Sequence, residues 1–271
     1  MTDQQLFALC GEVRVLVDHV ALFLQEHIDE VQQQDIEVKS RNSLVSYVDK
    51  EAERKLVSGL QELLPGSVFL TEEETIATQA GVWQWIIDPL DGTTNYLHGL
   101  PCYAISVALQ QNGCTVLGVV HEVAKDEQFY ASRGRGAYCN ERPIQVSHTD
   151  HLSGSLIATG FPYYDFSRMG DYLSLFRQLM TTTRGIRRFG SAAVDLAYVA
   201  CGRFDAFFEH SLHPWDVAAG AFLVEAAGGK VADFSGSDNY LHGKEMVAAN
   251  GAIWPVFLPL VKHYLSGEAS V

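Results

Sequence analysis

Two carboxylates three residues apart, at the end of an apolar run, are the part of this sequence best suited to chemistry. The run Trp83, Trp85, Ile86, Ile87 reads as a buried strand, and Asp88 and Asp91 follow at its C-terminal end. Pro89 cannot donate to a sheet ladder, which predicts that the strand stops there. Gly92 allows a sharp turn, after which Thr93-Thr94-Asn95 offers backbone N–H groups and hydroxyls. The expected geometry directs both acids and the Leu90 carbonyl at one point beside an amide-rich turn. Hard divalent cations take oxygen ligands of that kind, and a phosphate takes those amides. Asp-Pro or Asp-Gly alone reads as a turn. The whole stretch Asp88–Asn95 is more than a turn requires.

A second segment repeats the logic. Phe204–Phe208 reads as a strand ending at Glu209, and Asp216 opens a helix seven residues later. As an N-cap alone Asp216 would be unremarkable. Trp215 before it, Ala218-Ala219-Gly220 after it and Glu209 upstream make it a ligand candidate. Arg187 to Ala193 leads into a helix over 194–200 through Gly190-Ser191-Ala192. That start either bares helix N-terminal amides to an anion or ring hydroxyl, or uses Ser191 as a plain N-cap. His213 reads as structural, and the other nine histidines show no ligand spacing. No Gly-x-Ser-x-Gly and no cysteine in a basic motif is present, so attack on a substrate falls to water.

The elements that must carry these groups are readable from periodicity. Leu6, Leu9, Val13, Val17, Val20 and Leu24 predict an amphipathic helix over 4–27, followed by a polar connector at 31–36. Asp49 is placed as N-cap of a helix over 50–64 whose inner face carries Ala52, Leu56, Leu60 and Leu63. Val68–Leu70 is a short strand leading to Glu72-Glu73-Glu74, of which Glu73 and Glu74 read as solvated loop. Strands at 104–109 and 116–120 join around Gln111-Asn112-Gly113, a hairpin signal. Residues 128–131 continue the sheet, with turns at 134–137 and at Asn140-Glu141-Arg142-Pro143. Arg133 and Arg135 read as solvent-facing. A strand at 156–159, an aromatic loop from Gly160, a helix at 171–180, strands at 231–234 and 246–249, and a helix at 253–265 with Pro255 in its first turn complete the chain.

Composition bounds the function. The 271 residues are 47% hydrophobic and 19% charged, enough for one large domain or two intimate ones. No run approaches a membrane span and no leader pattern is visible, so a cytoplasmic location is expected. Five cysteines, none in Cys-x-x-Cys spacing, argue against a zinc site or disulfide scaffold and for a reducing compartment. A net charge of −14 argues against nucleic acid and anionic membrane as partners. It also means that an acidic pocket repels a phosphate unless bound cations invert the local field, so a phosphatase here should be strictly metal-dependent.

Asp88–Asn95 resembles the first signature of the inositol monophosphatase family of magnesium-dependent, lithium-sensitive sugar phosphatases. Trp215–Gly220 is similar to its second, and the resemblance runs from the region of Lys39 to Gly229. It implies an α/β (α+β) fold, a layered αβαβα sandwich, with the site where an N-terminal half (1–150) meets a C-terminal half (151–271). It implies two or three Mg²⁺ on Glu72, Asp88, Asp91, Asp216 and the Leu90 carbonyl, with Lys39 and Asp49 nearby. Glu72 and the Thr93 hydroxyl, with Asp49, would orient the attacking water or take its proton. Asp91, Gly92, Thr93 and Asp216 would face the phosphate, the Gly190–Ala192 backbone would touch substrate, and Glu209 would bind its hydroxyls. The sequence departs from many relatives at Asn42-Ser43, where they carry an aspartate. The implied reaction is hydrolysis of a small phosphate monoester by a homodimer, inositol monophosphate first. Alternatives are histidinol phosphate, fructose 1,6-bisphosphate, NADP, 3′-phosphoadenosine nucleotides, or a regulatory protein-binding role. Residues 161–166 and 184–188 would set that choice.

Overall fold

Leu6, Leu9, Val13, Val17, Val20 and Leu24 lie on one face of a helix, α1 (Asp3–His27), and all six are buried. Thr2 caps it by accepting the Gln5 amide, and the Gln5 side chain returns to the Thr2 amide at 2.8 Å. The computed structural model describes residues 1–28, 30, 37–40, 43–79, 81–162 and 166–266, with backbone alone for 37–40 and 43–45. The expected connector at 31–36, Asn42, and Tyr163 and Tyr164 of the aromatic loop therefore lie outside the described residues, as does the Lys39 side chain.

An antiparallel hairpin of β1 (Glu37–Ser40) and β2 (Ser43–Val45) precedes α2 (Tyr47–Leu63). This helix starts earlier than its charge pattern predicts, because Ser46 rather than Asp49 is its N-cap. Asp49 is the third helical residue and reaches back, accepting from the Ser46 amide at 2.8 Å and its hydroxyl at 2.7 Å. Ser46-x-x-Asp49 is a capping box, in which the acid supports the cap without being it.

The first sheet runs in chain order: β3 (Val68–Thr71), β4 (Trp83–Asp91), β5 (Ala104–Gln111), β6 (Cys114–Glu122), β7 (Glu127–Ser132), β8 (Ala137–Cys139) and β9 (Arg142–Ile144). Only β3 and β4 pair in parallel. β5 and β6 join through Asn112 and Gly113, both at positive φ as a two-residue hairpin loop requires. The turn before β9 is confined to Asn140 and Glu141, and Pro143 sits in the edge strand, where no ladder donor is missed. Arg133 is not a free surface charge: it binds Asp3 at 2.9 Å and holds the start of α1 to the sheet, while Arg135 lies over Phe7.

The second sheet has the order β11-β10-β12-β14-β13, from β10 (Leu156–Thr159), β11 (Gly185–Arg187), β12 (Ala206–His210), β13 (Lys230–Ala232) and β14 (Glu245–Ala249). The remaining helices are α3 (Thr93–Leu97), α4 (Met169–Thr182), α5 (Ala192–Ala200), α6 (Pro214–Ala226) and α7 (Trp254–Leu265).

Strand alternation divides the apolar residues into three cores. Trp85, Ile87, Val107 and Val119 face α1 and α2; Ile86, Ala104 and Ala108 face α5 and α6, which also cover the second sheet. The outer face of that sheet, with Ile157, Phe208 and Val247, meets α4 and α7. The result is an αβαβα sandwich. Its central helix layer is tight: a Cβ on Gly118 would lie 3.0 Å from the Ala219 carbonyl, and one on Gly220 would lie 2.6 Å from Leu196. The small residues after Trp215 are what this squeezed layer needs. Among the described residues no helix is long and apolar enough to cross a membrane.

Candidate active site

β4 does not stop at Pro89. It continues to Asp91 through a register irregularity between Asp88 (opposite Ser106) and Asp91 (opposite Ala104). Beyond Ile87 the strand pairs only with β5, because the parallel register with β3 ends at Thr71. Pro89 therefore sits where the ladder is irregular and one-sided, which is where proline is tolerated in a sheet. Asp88 is on the same alternating face as Ile86, towards α6, and is 1% exposed. The Leu90 amide donates to its Oδ1 at 2.9 Å.

Asp216 comes from the other half of the molecule. The sequence places it as an N-cap; in the structure His213 caps α6 and Asp216 is the third helical residue, accepting from the His213 amide at 2.7 Å. Asp49 and Asp216 thus share one local device, which fixes the carboxyl group on the helix's first turn. Ser106 on β5 donates to the Trp215 carbonyl at 3.1 Å, tying that turn to the first sheet. The His213 ring stacks on Trp215 at 4.7 Å, and burial depresses its basicity, in keeping with a structural histidine.

Asp88, Asp91 and Asp216 each bring one carboxylate oxygen within 4.8 Å of the other two. Burial raises the proton affinity of Asp88 and Asp216 well above the carboxylate range, and the charges of Glu72 and Asp91 raise both further. Burial also pushes Asp91 up, but only to about 6, because the Ser191 hydroxyl and the Ala193 amide both donate to its Oδ2 at 2.7 Å. Glu72 follows β3, its amide bonded to the Ile87 carbonyl at 3.3 Å, and its charge acts on all three aspartates. An all-oxygen cluster this tight, half-buried and self-repelling fits a hard divalent cation such as Mg²⁺.

The helix start at Ser191 satisfies both sequence alternatives in part. Ser191 is the N-cap, accepting the Val194 amide at 3.3 Å, and its hydroxyl and the Ala193 amide are committed to Asp91. Gly190 and Gly92 are positive-φ residues packed back to back: a Cβ on Gly92 would lie 3.3 Å from the Gly190 carbonyl and 3.0 Å from that of Cys102. Asn95 clamps these loops, its amide donating to Cys102 at 2.7 Å and to Phe189 at 2.8 Å. Its side chain is therefore an inter-loop tie rather than a phosphate ligand.

On the other side of the cluster the Thr93 hydroxyl lies 3.0 Å from both the Leu90 carbonyl and Asp49 Oδ1. Burial raises the Asp49 carboxyl, against the bonds from Ser46 and Thr93 that lower it. Gly92, at φ 98°, opens α3 and leaves its first amides without helical partners. Glu209 lies inside β12, one residue further in than the sequence places it, and burial pushes it up to about 8. A Cβ on Gly160 would fall 1.8 Å from its Oε1, so a side chain at 160 and this carboxyl position exclude each other.

Two charged groups here escaped sequence reasoning. Asp195, buried on α5, has an Oδ1 without a hydrogen bond, and burial lifts it well above the carboxylate range beside Glu209 and Asp91. Arg188, seen in the sequence only as pocket edge, lowers the proton affinity of Asp91, Asp195 and Glu209 and lies 5.4 Å from the Phe161 ring centre. The available signal was a lone acid within the apolar helix Ala192–Ala200.

Comparison with known proteins follows the same lines. Residues 11–266 match the inositol monophosphatase family profile. The chain is 43% identical to the Nus factor SuhB of Pseudomonas aeruginosa, covering 84% of this chain and 86% of that protein. It is 40% identical to the inositol-1-monophosphatase of Mesorhizobium japonicum, covering 90% and 92%. Among solved structures, the extragenic suppressor protein SuhB from Bartonella henselae superposes with a TM-score of 0.88 at 40% identity, over 92% of this chain and 97% of that one.

Proposed function

Because the chain belongs to the inositol monophosphatase family, we propose that it hydrolyses a small phosphate monoester, inositol monophosphate first, with Mg²⁺ as cofactor. The observation that carries this reading is the convergence of Asp88, Asp91 and Asp216 within 4.8 Å from two separate parts of the chain. Two or three Mg²⁺ would be held by Glu72, Asp88, Asp91, Asp216 and the Leu90 carbonyl. When bound they supply a water of lowered pKa and neutralise phosphate charge. Glu72 and Thr93 would orient the attacking water, and the Thr93–Asp49 pair would take up its proton. The amides of Gly92 and Thr93 hold the phosphate, while the Gly190–Ala192 turn and Glu209 hold the alcohol by its ring hydroxyls. Asp91 and Asp216 would face the phosphate. Lithium sensitivity, a homodimer and a cytoplasmic setting belong to the same proposal. The apolar stripe Met169, Leu173 and Met180, exposed on α4, gives a dimer a face to bury, and all five cysteines are free thiols.

Phosphate release from a panel of monophosphates and bisphosphates, with Mg²⁺, with EDTA and with Li⁺, tests the reading. One monophosphate should be hydrolysed well above the rest, with loss in EDTA and inhibition by Li⁺. Asp88→Asn and Asp216→Asn should each fold and lose about 100-fold or more in kcat, roughly 2.7 kcal/mol. Wild-type turnover in either would refute the site. A second reading, a regulatory protein-binding role, draws on the relatives named as Nus factors. Silence across the panel in a protein that still binds Mg²⁺ would favour it.

A further inference from the structure

Glu53 belongs to no motif and stands within α2, yet it is 0% exposed. A buried acid needs partners, and among the described residues those bonded to its oxygens come from one loop. The Glu73 amide donates to its Oε2 at 2.7 Å. The Thr75 amide and hydroxyl donate to its Oε1 at 2.8 Å and 2.6 Å. This is the loop that follows β3 and begins with Glu72. On the other side of that residue, the Glu72 amide is bonded to the Ile87 carbonyl of β4 at 3.3 Å.

The two peptide groups that flank the Glu72 Cα are therefore both tied down, one to β4 and one to α2. Those two planes set the backbone dihedrals of Glu72, and with them the direction in which its side chain leaves. Glu74 shows that the loop is held to its path: its φ is 52°, left-handed backbone that a non-glycine residue adopts under strain. The amides on either side of it, those of Glu73 and Thr75, both end on Glu53. Asp49 and Glu53 lie one turn apart on the same face of α2. Asp49 meets Thr93 in the turn after β4, and Glu53 meets the loop after β3. These strands are parallel neighbours, so the two loops leave the sheet side by side. Four residues of helix rise about 6 Å and adjacent strands lie about 4.8 Å apart, so one helix face can serve both loops.

We propose that Glu53 is a positioning residue: it holds the loop after β3 so that the Glu72 carboxylate is presented to the acid cluster and to the cation bound there. The inference rests on the reading of that cluster as a Mg²⁺ site. Glu53 acts through the Glu72 backbone, with both of its own oxygens committed to the loop.

Calorimetric Mg²⁺ titration of the whole protein, as wild type, Glu53→Gln, Glu72→Gln and the double variant, tests the proposal. Glu53→Gln keeps the shape and one acceptor oxygen but turns an NH₂ towards a loop N–H. It should weaken Mg²⁺ binding about tenfold or more, the usual scale for a group that orients a metal ligand. In the Glu72→Gln background the same change should cost little, because the carboxylate it positions is gone. A residue that merely stabilised the fold would show the same loss in both backgrounds. In metal-free Glu53→Gln the Glu73 and Thr75 amides should lose protection from hydrogen exchange while those of α1 keep theirs. Thr75→Val removes one of the three bonds and should weaken Mg²⁺ binding less, whereas Thr75→Ser keeps the hydroxyl and should bind as wild type does. This pair carries the test if Glu53→Gln does not fold. Wild-type Mg²⁺ affinity in Glu53→Gln and Thr75→Val, or equal losses in the two backgrounds, would overturn the proposal and leave the proposed function standing. No Mg²⁺ binding by the wild type, or binding indifferent to Glu72→Gln, would overturn the reading of the site and this proposal with it.

Discussion

Removing divalent cations with EDTA and raising the pH from about 5 to about 8 should destabilise this protein, although most mesophilic proteins are near their best there. The reason lies in the acids whose proton affinity the fold raises, Asp91 and Glu209 among them. Asp91 is lifted from an ordinary 3.8 to about 6 and Glu209 from 4.5 to about 8, in both cases chiefly by burial. A carboxyl group raised on folding stabilises the folded state fully below its unfolded pKa and loses that contribution as pH climbs through its folded value. At about 1.4 kcal/mol for each tenfold change in acidity, Asp91 accounts for about 3 kcal/mol and Glu209 for about 5. About 5 kcal/mol of the total falls between pH 5 and 8. Glu122, lifted from 4.5 to about 7, adds to this within the same window, and Asp49, Asp88, Asp216 and Asp195 act with the same sign. His121 and His213, lowered by burial, act against it. Acids lowered on folding, such as Glu127 and Glu141, lose their contribution only below that window. Thermal denaturation in EDTA should show a fall in Tm on the order of 10 °C across the range, and Mg²⁺ should flatten the curve by taking the place of the protons. A Tm in EDTA that is flat or rising from pH 5 to 8 would refute the reasoning.

Three substitutions probe the supporting residues. Gly160→Ala should displace the Glu209 carboxyl, raising KM for a polyol phosphate about as much as Glu209→Gln does while costing about 1–3 kcal/mol of stability; an unchanged KM would show that Glu209 does not hold substrate. Asn95→Ala removes both bonds joining the Cys102 and Phe189 loops, and should cost about 2–3 kcal/mol in urea denaturation and weaken Mg²⁺ binding. Ser191→Ala removes one hydroxyl that both caps α5 and holds Asp91, for a loss of about 2–4 kcal/mol, and should leave Mg²⁺-free protein more sensitive to rising pH. Stability within 0.5 kcal/mol of wild type, about the scatter of surface changes, would count against either account.

The sequence carried the elements well where periodicity was strong. α1 differs from its predicted span by a residue, and β10 has the predicted span. The ligand candidates Asp88, Asp91 and Asp216 were legible because each closes or opens an element next to residues with little other use. What could not be read was partnership across the chain. Asn95 looks like a further turn donor until folding brings Phe189 to it, and nothing near Asp91 in the chain announces its donors Ser191 and Ala193. Asp49 and Asp216 were misplaced by three residues within their caps, because an acid serves equally at the cap and at the third helical position. Pro89 misled because propensity cannot foresee that β3 ends beside it, leaving β4 paired on one side.

The division of the acids between β4 and α6 has a consequence for the order of events at synthesis. Asp91 and Asp216 are 125 residues apart. At about 5–20 residues per second, Asp216 leaves the ribosome roughly 6–25 s after Asp91. A nascent chain that already holds its first sheet still lacks the Asp216 carboxylate. A cation that needs all three aspartates would therefore bind last, as a lock on chains whose two sheets have closed over α5 and α6.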